Sequence, residues 1–213
     1  CFFLFFVGGC FWLVLWGAGW GGTTARRLGG GAGPVTTVVT IALPRLREID
    51  AAYDGRVRTR LATRDAIEEE VAAADVVIGA VLVAGAATPK LVTRAMLGTM
   101  KRGAVIVDIA IDQGGCCETS RPTTHADPTF EVDGIVHYCV ANMPGAVPLT
   151  STHALNHATL PYGLALADRG LAAVRDDPRL RAGLNVHRGR ITHPRVAASL
   201  GLPAADPQDL PAR

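Results

Sequence analysis

Aromatic residues are scarce in this chain: six Phe, three Trp and three Tyr make up 6% of its 213 residues. Excess charge of either sign is also lacking, since 21 Lys and Arg against 19 Asp and Glu leave a formal +2. A nucleic-acid surface needs a basic stripe, commonly interleaved with aromatics, and none is present, so no nucleic-acid partner is expected. Attraction to an anionic membrane surface is excluded on the same balance. The five cysteines (Cys1, Cys10, Cys116, Cys117, Cys139) are odd in number and form no Cys-x-x-Cys pair. Neither a disulfide framework nor a zinc site follows, and a reducing compartment is the simpler reading. His137, His153 and His157 stand without a cysteine or carboxylate at ligand spacing, so no metal is expected. A Gly-x-Ser-x-Gly elbow and a Walker lysine are both missing. The first residue is Cys1 rather than Met, and the chain is expected to begin inside a longer reading frame.

The longest apolar run is the first 16 residues, CFFLFFVGGCFWLVLW. That run is shorter than the roughly 20 residues a spanning helix needs, and no basic segment precedes it. A buried strand over about residues 11–16 is the better reading, because a central strand of a parallel sheet is apolar on both faces. It also delivers the chain to the glycine turn that follows.

What is present is the composition of a folded domain, 49% apolar and 19% charged. Beyond residue 11, apolar strands alternate with amphipathic helices. Val35–Ile41, Arg56–Leu61, Val76–Val83, Ala104–Ile109 and Ile135–Val140 read as strands. Pro44–Tyr53 and Asp65–Ala74 read as helices, as does a segment opened by Thr88-Pro89 and stopped by Gly103. This alternation predicts an α/β fold, a doubly wound parallel sheet of Rossmann type over residues 1–142. After residue 143 the pattern turns mainly helical and reads as a segment of an incomplete second domain, 143–213. It contains a helix over Ser151–Arg169, expected to kink or split at Pro161, and a hairpin around Arg188-Gly189.

Ligands of such sheets lie at the carboxyl ends of the strands. Four unusual stretches fall there: 17–22, 81–85, 109–115 and 140–145. Gly17-Ala18-Gly19-Trp20-Gly21-Gly22 fits G-x-G-x-x-G, which gives a tight turn, close approach of a pyrophosphate and close helix–strand packing. The match is weakened by Gly29-Gly30-Gly31 and Pro34 in the helix that should follow. It is weakened again by Thr40, which stands where an acid should bind the adenosine ribose. Asp112, after an apolar strand, could orient a cofactor, bind an ammonium or assist proton transfer; it could equally cap the next turn. Arg121 could hold a phosphate or carboxylate, or be a solvated loop residue. Asn142, at the end of the next strand, can hydrogen-bond a carboxamide.

Three strings carry a resemblance: DVVIGAVLVAGAATPKLVT (75–93), AVIVDIAIDQGGCCETSRPTTHADPTF (104–130) and HYCVANMPGAVPLTST (137–152), continued by LNHATLPYGLALADRG (155–170). They resemble the alanine dehydrogenase family over about residues 11–203, most specifically over 45–170. The related transhydrogenases share the fold but lack an IDQGG loop followed by SRPTTH. The resemblance implies NAD-dependent oxidative deamination of L-alanine to pyruvate and ammonia, or its reverse, in a cytoplasmic homo-hexamer. By position it makes Asp112 the catalytic aspartate, also touching the nicotinamide ribose. It places Val81, Leu82, Ile109, Ala110 and Ile111 on the adenosine and ribose side, and Arg45 near the adenosine where the family has a lysine. Arg121 would contact the cofactor. Val140, Ala141, Asn142 and Met143 would meet the nicotinamide end. Gly17, Gly19, Trp20, Gly21 and Gly22 would form the pyrophosphate turn. The family's catalytic histidine and its pyruvate-binding lysine and arginine belong to a preceding domain, and no histidine of this chain takes those roles. Thr40, Ala62 and Trp20 depart from the family pattern. The alternatives are the NAD-binding subunit of a transhydrogenase-like protein and an inactive truncated product.

Overall fold

The computed structural model of the chain describes residues 35–81 and 87–206, and residues 12–16 as a strand. The glycine motif Gly17–Gly22, the interrupted helix expected after it, Leu82, and Cys1 and Cys10 lie outside the described residues. The described part separates into two compact units, divided between Met143 and Pro144.

In the first unit the chain runs β1 (Trp12–Trp16), β2 (Val35–Thr40), α1 (Leu43–Tyr53), β3 (Val57–Leu61), α2 (Arg64–Ala73) and β4 (Val76–Gly79). It continues through α3 (Arg94–Leu97), β5 (Val105–Asp108), a 3-10 turn (Ile109–Gln113), β6 (Thr129–Val132) and β7 (Ile135–Tyr138). Among the described residues seven strands form one sheet, in the order β3-β2-β1-β4-β5-β7-β6. All neighbours pair in parallel except β6 with β7. Strand order reverses between β1 and β4, so the switch point of this doubly wound sheet lies outside Trp16 and Gly79.

Both faces of the sheet are covered because adjacent strand residues point to opposite sides. Val38 packs with Ile49 of α1 and Val57 of β3. Val39, its neighbour, packs in a larger cluster with Ile67 and Val71 of α2, Leu97 of α3, Ile106 and Ile135. Thr63 caps α2, its hydroxyl accepting from the Ala66 amide at 3.2 Å.

Three expectations change. The helix expected from Thr88 to Lys101 shrinks to Arg94–Leu97, capped by Thr93. Its first residues are claimed by a tertiary pairing instead. Thr88 donates its amide to the Gln113 carbonyl (3.0 Å), and Leu91 and Val92 donate theirs to Cys116 (2.7 and 3.1 Å). The strand expected over 76–83 stops at Gly79, where its pairing with β5 ends at Asp108. The third change is β6, an antiparallel edge strand turned onto β7 by Asp133 (φ 53°) and Gly134 (φ 83°). Two successive positive φ values make the tight turn that suits a hairpin.

In the second unit α4 (Pro148–Arg169) runs as one 22-residue helix through Pro161, neither split nor stopped. It is followed by α5 (Leu171–Asp176), α6 (Pro178–Ala182), the hairpin β8 (Val186–His187)–β9 (Arg190–Ile191) and α7 (Pro194–Leu200). Among the described residues no helix is long and apolar enough to cross a membrane.

Candidate functional site at the carboxyl edge of the sheet

The sheet delivers its strand ends to one edge, and the residues singled out in the sequence distribute along it. Val81 follows β4 and packs, partly buried, against the main core. Past β5 the chain enters the 3-10 turn. Ala110 and Ile111 are buried, anchoring the turn, while Ile109 is 38% exposed and Asp112 is exposed. Asp112 therefore projects from a fixed turn at a strand end. Gly114 (φ 90°) and Gly115 (φ 75°) then reverse the chain.

That reversal is tied back to the strand by Asp108, the last residue of β5 and fully buried. Its Oδ2 accepts from the Cys116 amide (2.8 Å), the Cys117 amide (3.3 Å) and the Ser120 hydroxyl (2.6 Å). The Cys116 thiol lies 3.5 Å from Oδ1. Burial first, and the Asp108 charge second, push that thiol's pKa well up, so it stays protonated and donates to the carboxylate. A Cβ at Gly115 would fall 2.7 Å from Oδ2, and one at Gly79 only 2.0 Å from the Cys116 sulfur. Both glycines are required by close approach. On the other side of the turn, Lys90 Nζ donates to the carbonyls of Gly114, Gly115 (2.9 Å) and Cys117 (3.3 Å). Thr88 is 5% exposed, and among the described residues neither its hydroxyl nor the side-chain carbonyl of Gln113 has a partner, although the Gln113 main chain pairs with the Thr88 amide.

The loop from 121 to 125 joins the end of β7. The Thr123 amide donates to Cys139 (2.9 Å) and the Ala141 amide to Thr123 (3.2 Å), forming a parallel bridge between Thr123 and Val140. Val140 is fully buried, and Ala141 and Met143 are half-buried. Asn142 is exposed in a left-handed conformation (φ 58°), and its carbonyl meets His125 Nε2 at 3.0 Å. The 121–125 and 140–143 stretches are thus brought together. Arg121 has its guanidinium 4.2 Å from the centre of the Phe130 ring, and Phe130 in turn stacks on the buried His137.

Arg45 lies on the first turn of α1, just past the end of β2, in an ion pair with Glu48. Thr40 closes β2, buried, with its hydroxyl accepting from the Ala42 amide at 3.3 Å. No acid occupies that strand end. Among the described residues no group of three His, Cys, Asp or Glu could hold a metal ion.

Sequence reasoning missed Asp108, Lys90 and Ser120. The one available signal was an acid closing an otherwise apolar strand, VIVD; nothing near Lys90 in sequence points to a turn 24 residues away.

The profile of the alanine dehydrogenase/PNT C-terminal domain matches residues 11–194. Alanine dehydrogenase of Halomonas elongata is 57% identical over 87% of this chain and 50% of its own length. That of Mycobacterium tuberculosis is 52% identical over 92% of this chain and 53% of its own. The chain thus spans about half the length of the curated relatives it matches. A solved L-alanine dehydrogenase superposes with a TM-score of 0.79 at 45% identity, covering 90% of this chain and 53% of that one. A transhydrogenase from Sinorhizobium meliloti, at 24% identity and a TM-score of 0.65, shares the fold. A match over residues 11–194 places this chain in the alanine dehydrogenase/PNT family, as a protein carrying that family's C-terminal domain.

Proposed function

We propose that this chain is the dinucleotide-binding part of an NAD-dependent alanine dehydrogenase. The reaction is oxidative deamination of L-alanine, with water, to pyruvate and ammonia, and reductive amination in reverse. The observation that supports it most is the Asp112 turn: an exposed carboxylate on a rigidly held strand end, next to the switch point of a doubly wound sheet.

The residues fit a dinucleotide. The β1–β4 switch point supplies the crevice, Val81 and Ile109–Ile111 supply an apolar wall, and the orphaned Thr88 hydroxyl is a buried donor still to be used. When bound, NAD supplies the acceptor for the hydride leaving the alanine Cα. Asp112 makes no hydrogen bond among the described residues, so its carboxylate is free to accept one from a ribose hydroxyl or from the substrate ammonium. Asn142 stands to orient the carboxamide end, and Arg45 and Arg121 to approach the cofactor as positive charges. Substrate binding by the other half of the relatives' length, assembly into a homo-hexamer and a cytoplasmic location complete the proposal.

Calorimetric titration of the purified chain with NADH tests it. Saturable binding below about 1 mM is expected, and heat no different from buffer at that concentration overturns the reading. Asp112→Ala should weaken binding. Thr40→Asp should tighten it, because a carboxylate there can keep the Ala42 amide bond and add a ribose contact.

A further inference from the structure

We propose that Asp108 and Lys90 are positioning residues, a two-sided clamp that holds the Asp112 turn in the shape it presents to a ligand. The proposal rests on the reading of this turn as a dinucleotide face. Its geometry stands on polarity. A turn with two consecutive left-handed residues has no regular ladder, so its main-chain groups must find partners elsewhere. Here they are sorted by sign. The amides that follow the reversal, at Cys116 and Cys117, point to the Asp108 carboxylate. The carbonyls at Gly114, Gly115 and Cys117 point to the Lys90 ammonium. The two charges grip the same four residues, Gly114 to Cys117.

Each grip has a second tie. Ser120 Oγ and the Cys116 thiol complete four donors around Asp108, so the buried carboxylate is compensated on both oxygens. Lys90 is exposed, but the chain around it is fastened to the turn through the Thr88, Leu91, Val92 and Glu118 amides. The Lys90 side chain thus leaves a segment that is already registered to the turn, which lowers the entropy cost of its bonds. Asp108 closes β5, a strand inside the sheet, so the clamp ties the exposed Asp112 to the sheet. The effect of both residues on a ligand passes through the turn.

The test combines hydrogen–deuterium exchange of peptides covering 109–120, thermal unfolding and NADH titration. It is run on the full chain and on Lys90→Met, Lys90→Arg, Ser120→Ala and Asp108→Asn. Lys90→Met is expected to unfold near the parent temperature, yet to exchange over 109–120 about tenfold faster and bind NADH about tenfold more weakly, as the exposed ammonium's bonds to the three carbonyls are lost. Lys90→Arg should restore both, which a filler of space would not require. Ser120→Ala should move the same peptides in the same direction, and keeps the Asp108 side testable where Asp108→Asn fails to fold. Parent-like exchange in both Lys90→Met and Ser120→Ala overturns the clamp. Loosened exchange with unchanged NADH affinity overturns its positioning role. A parent chain that does not bind NADH overturns the dinucleotide reading beneath it, and the exchange rates then decide by themselves whether the clamp exists.

Discussion

The two units treat their apolar residues in opposite ways. In the sheet unit Val38, Val39, Val71, Ile106 and Ile135 are at most 2% exposed, and buried side chains lie on both faces of the strands. In the second unit the longest helix, α4, has no buried residue, and Leu149, Leu155, Leu160, Leu164 and Leu166 are all more than 40% exposed. Among the described residues, what that unit does bury is small: Ala173, Val174, Ala197 and Ala205, with Thr192. Burial free energy scales with apolar area removed from water. The difference therefore places most of the stability in the sheet, the same unit that carries the Asp112 turn.

The sharpest way to break that comparison is Ile106→Ala. Ile106 sits within β5, fully buried, paired with Val77 of β4 and His137 of β7, and belongs to the main cluster. Truncation should cost about 3 kcal/mol through lost transfer energy and the cavity left behind. Chemical unfolding of parent and variant measures it. A cost below about 1 kcal/mol would mean the sheet is not the stable part.

A smaller effect should come from pH. His137 is fully buried, between Thr119 Oγ1 at 2.8 Å on Nε2 and the Ile135 carbonyl at 3.0 Å on Nδ1. Burial holds its pKa below the ordinary 6.5, outweighing the bond to Ile135 and the charges of Asp108 and Asp133. The folded form thus binds its proton less readily than the unfolded chain. Stability contributed by neutral His137 is full above pH 6.5 and falls as pH drops below it, by up to about 1.4 kcal/mol per pH unit until the folded pKa is reached. Unfolding curves at pH 7.5 and 5.5 should show this fall, and His137→Gln should flatten it. An equal fall in the variant would assign it to other groups.

The same contrast explains what was legible in the sequence. Buried parallel strands announce themselves as apolar runs, and β2, β5 and β7 stand within a residue or two of where their runs end. Helices read from periodicity and caps held where packing agreed, as in α1 and α2, but failed at Thr88-Pro89. There a good capping pair lost to three main-chain bonds with residues 113 and 116. β6 was missed although Asp133-Gly134 is a hairpin dipeptide. At the site, Asp112 stood out because a carboxylate followed by a glycine turn lies just past an apolar strand. Asp108 and Lys90 did not, because their partners are set by a turn formed only in three dimensions. Pro161 was expected to kink or split its helix; it does not split it, because a solvated helix can leave one carbonyl to water and run on.

The smallest expected effect is on α4. Leu160 is 58% exposed on a helix with no buried residue, so Leu160→Ser should change stability by no more than about 0.5 kcal/mol. The experiment is the unfolding measurement used for Ile106→Ala, repeated at two protein concentrations about tenfold apart. A negligible loss at both leaves the comparison as stated: the sheet unit carries most of the stability and α4 adds little. A loss of about 2 kcal/mol or more at both concentrations would mean that α4 buries Leu160 within the chain, and the contrast between the units collapses. A loss that grows with concentration would mean that association covers the helix, since anything that binds only the folded form stabilises it by mass action. The exposed leucines would then be an interface, and the second unit would owe its stability to a neighbour where the first owes it to its own core.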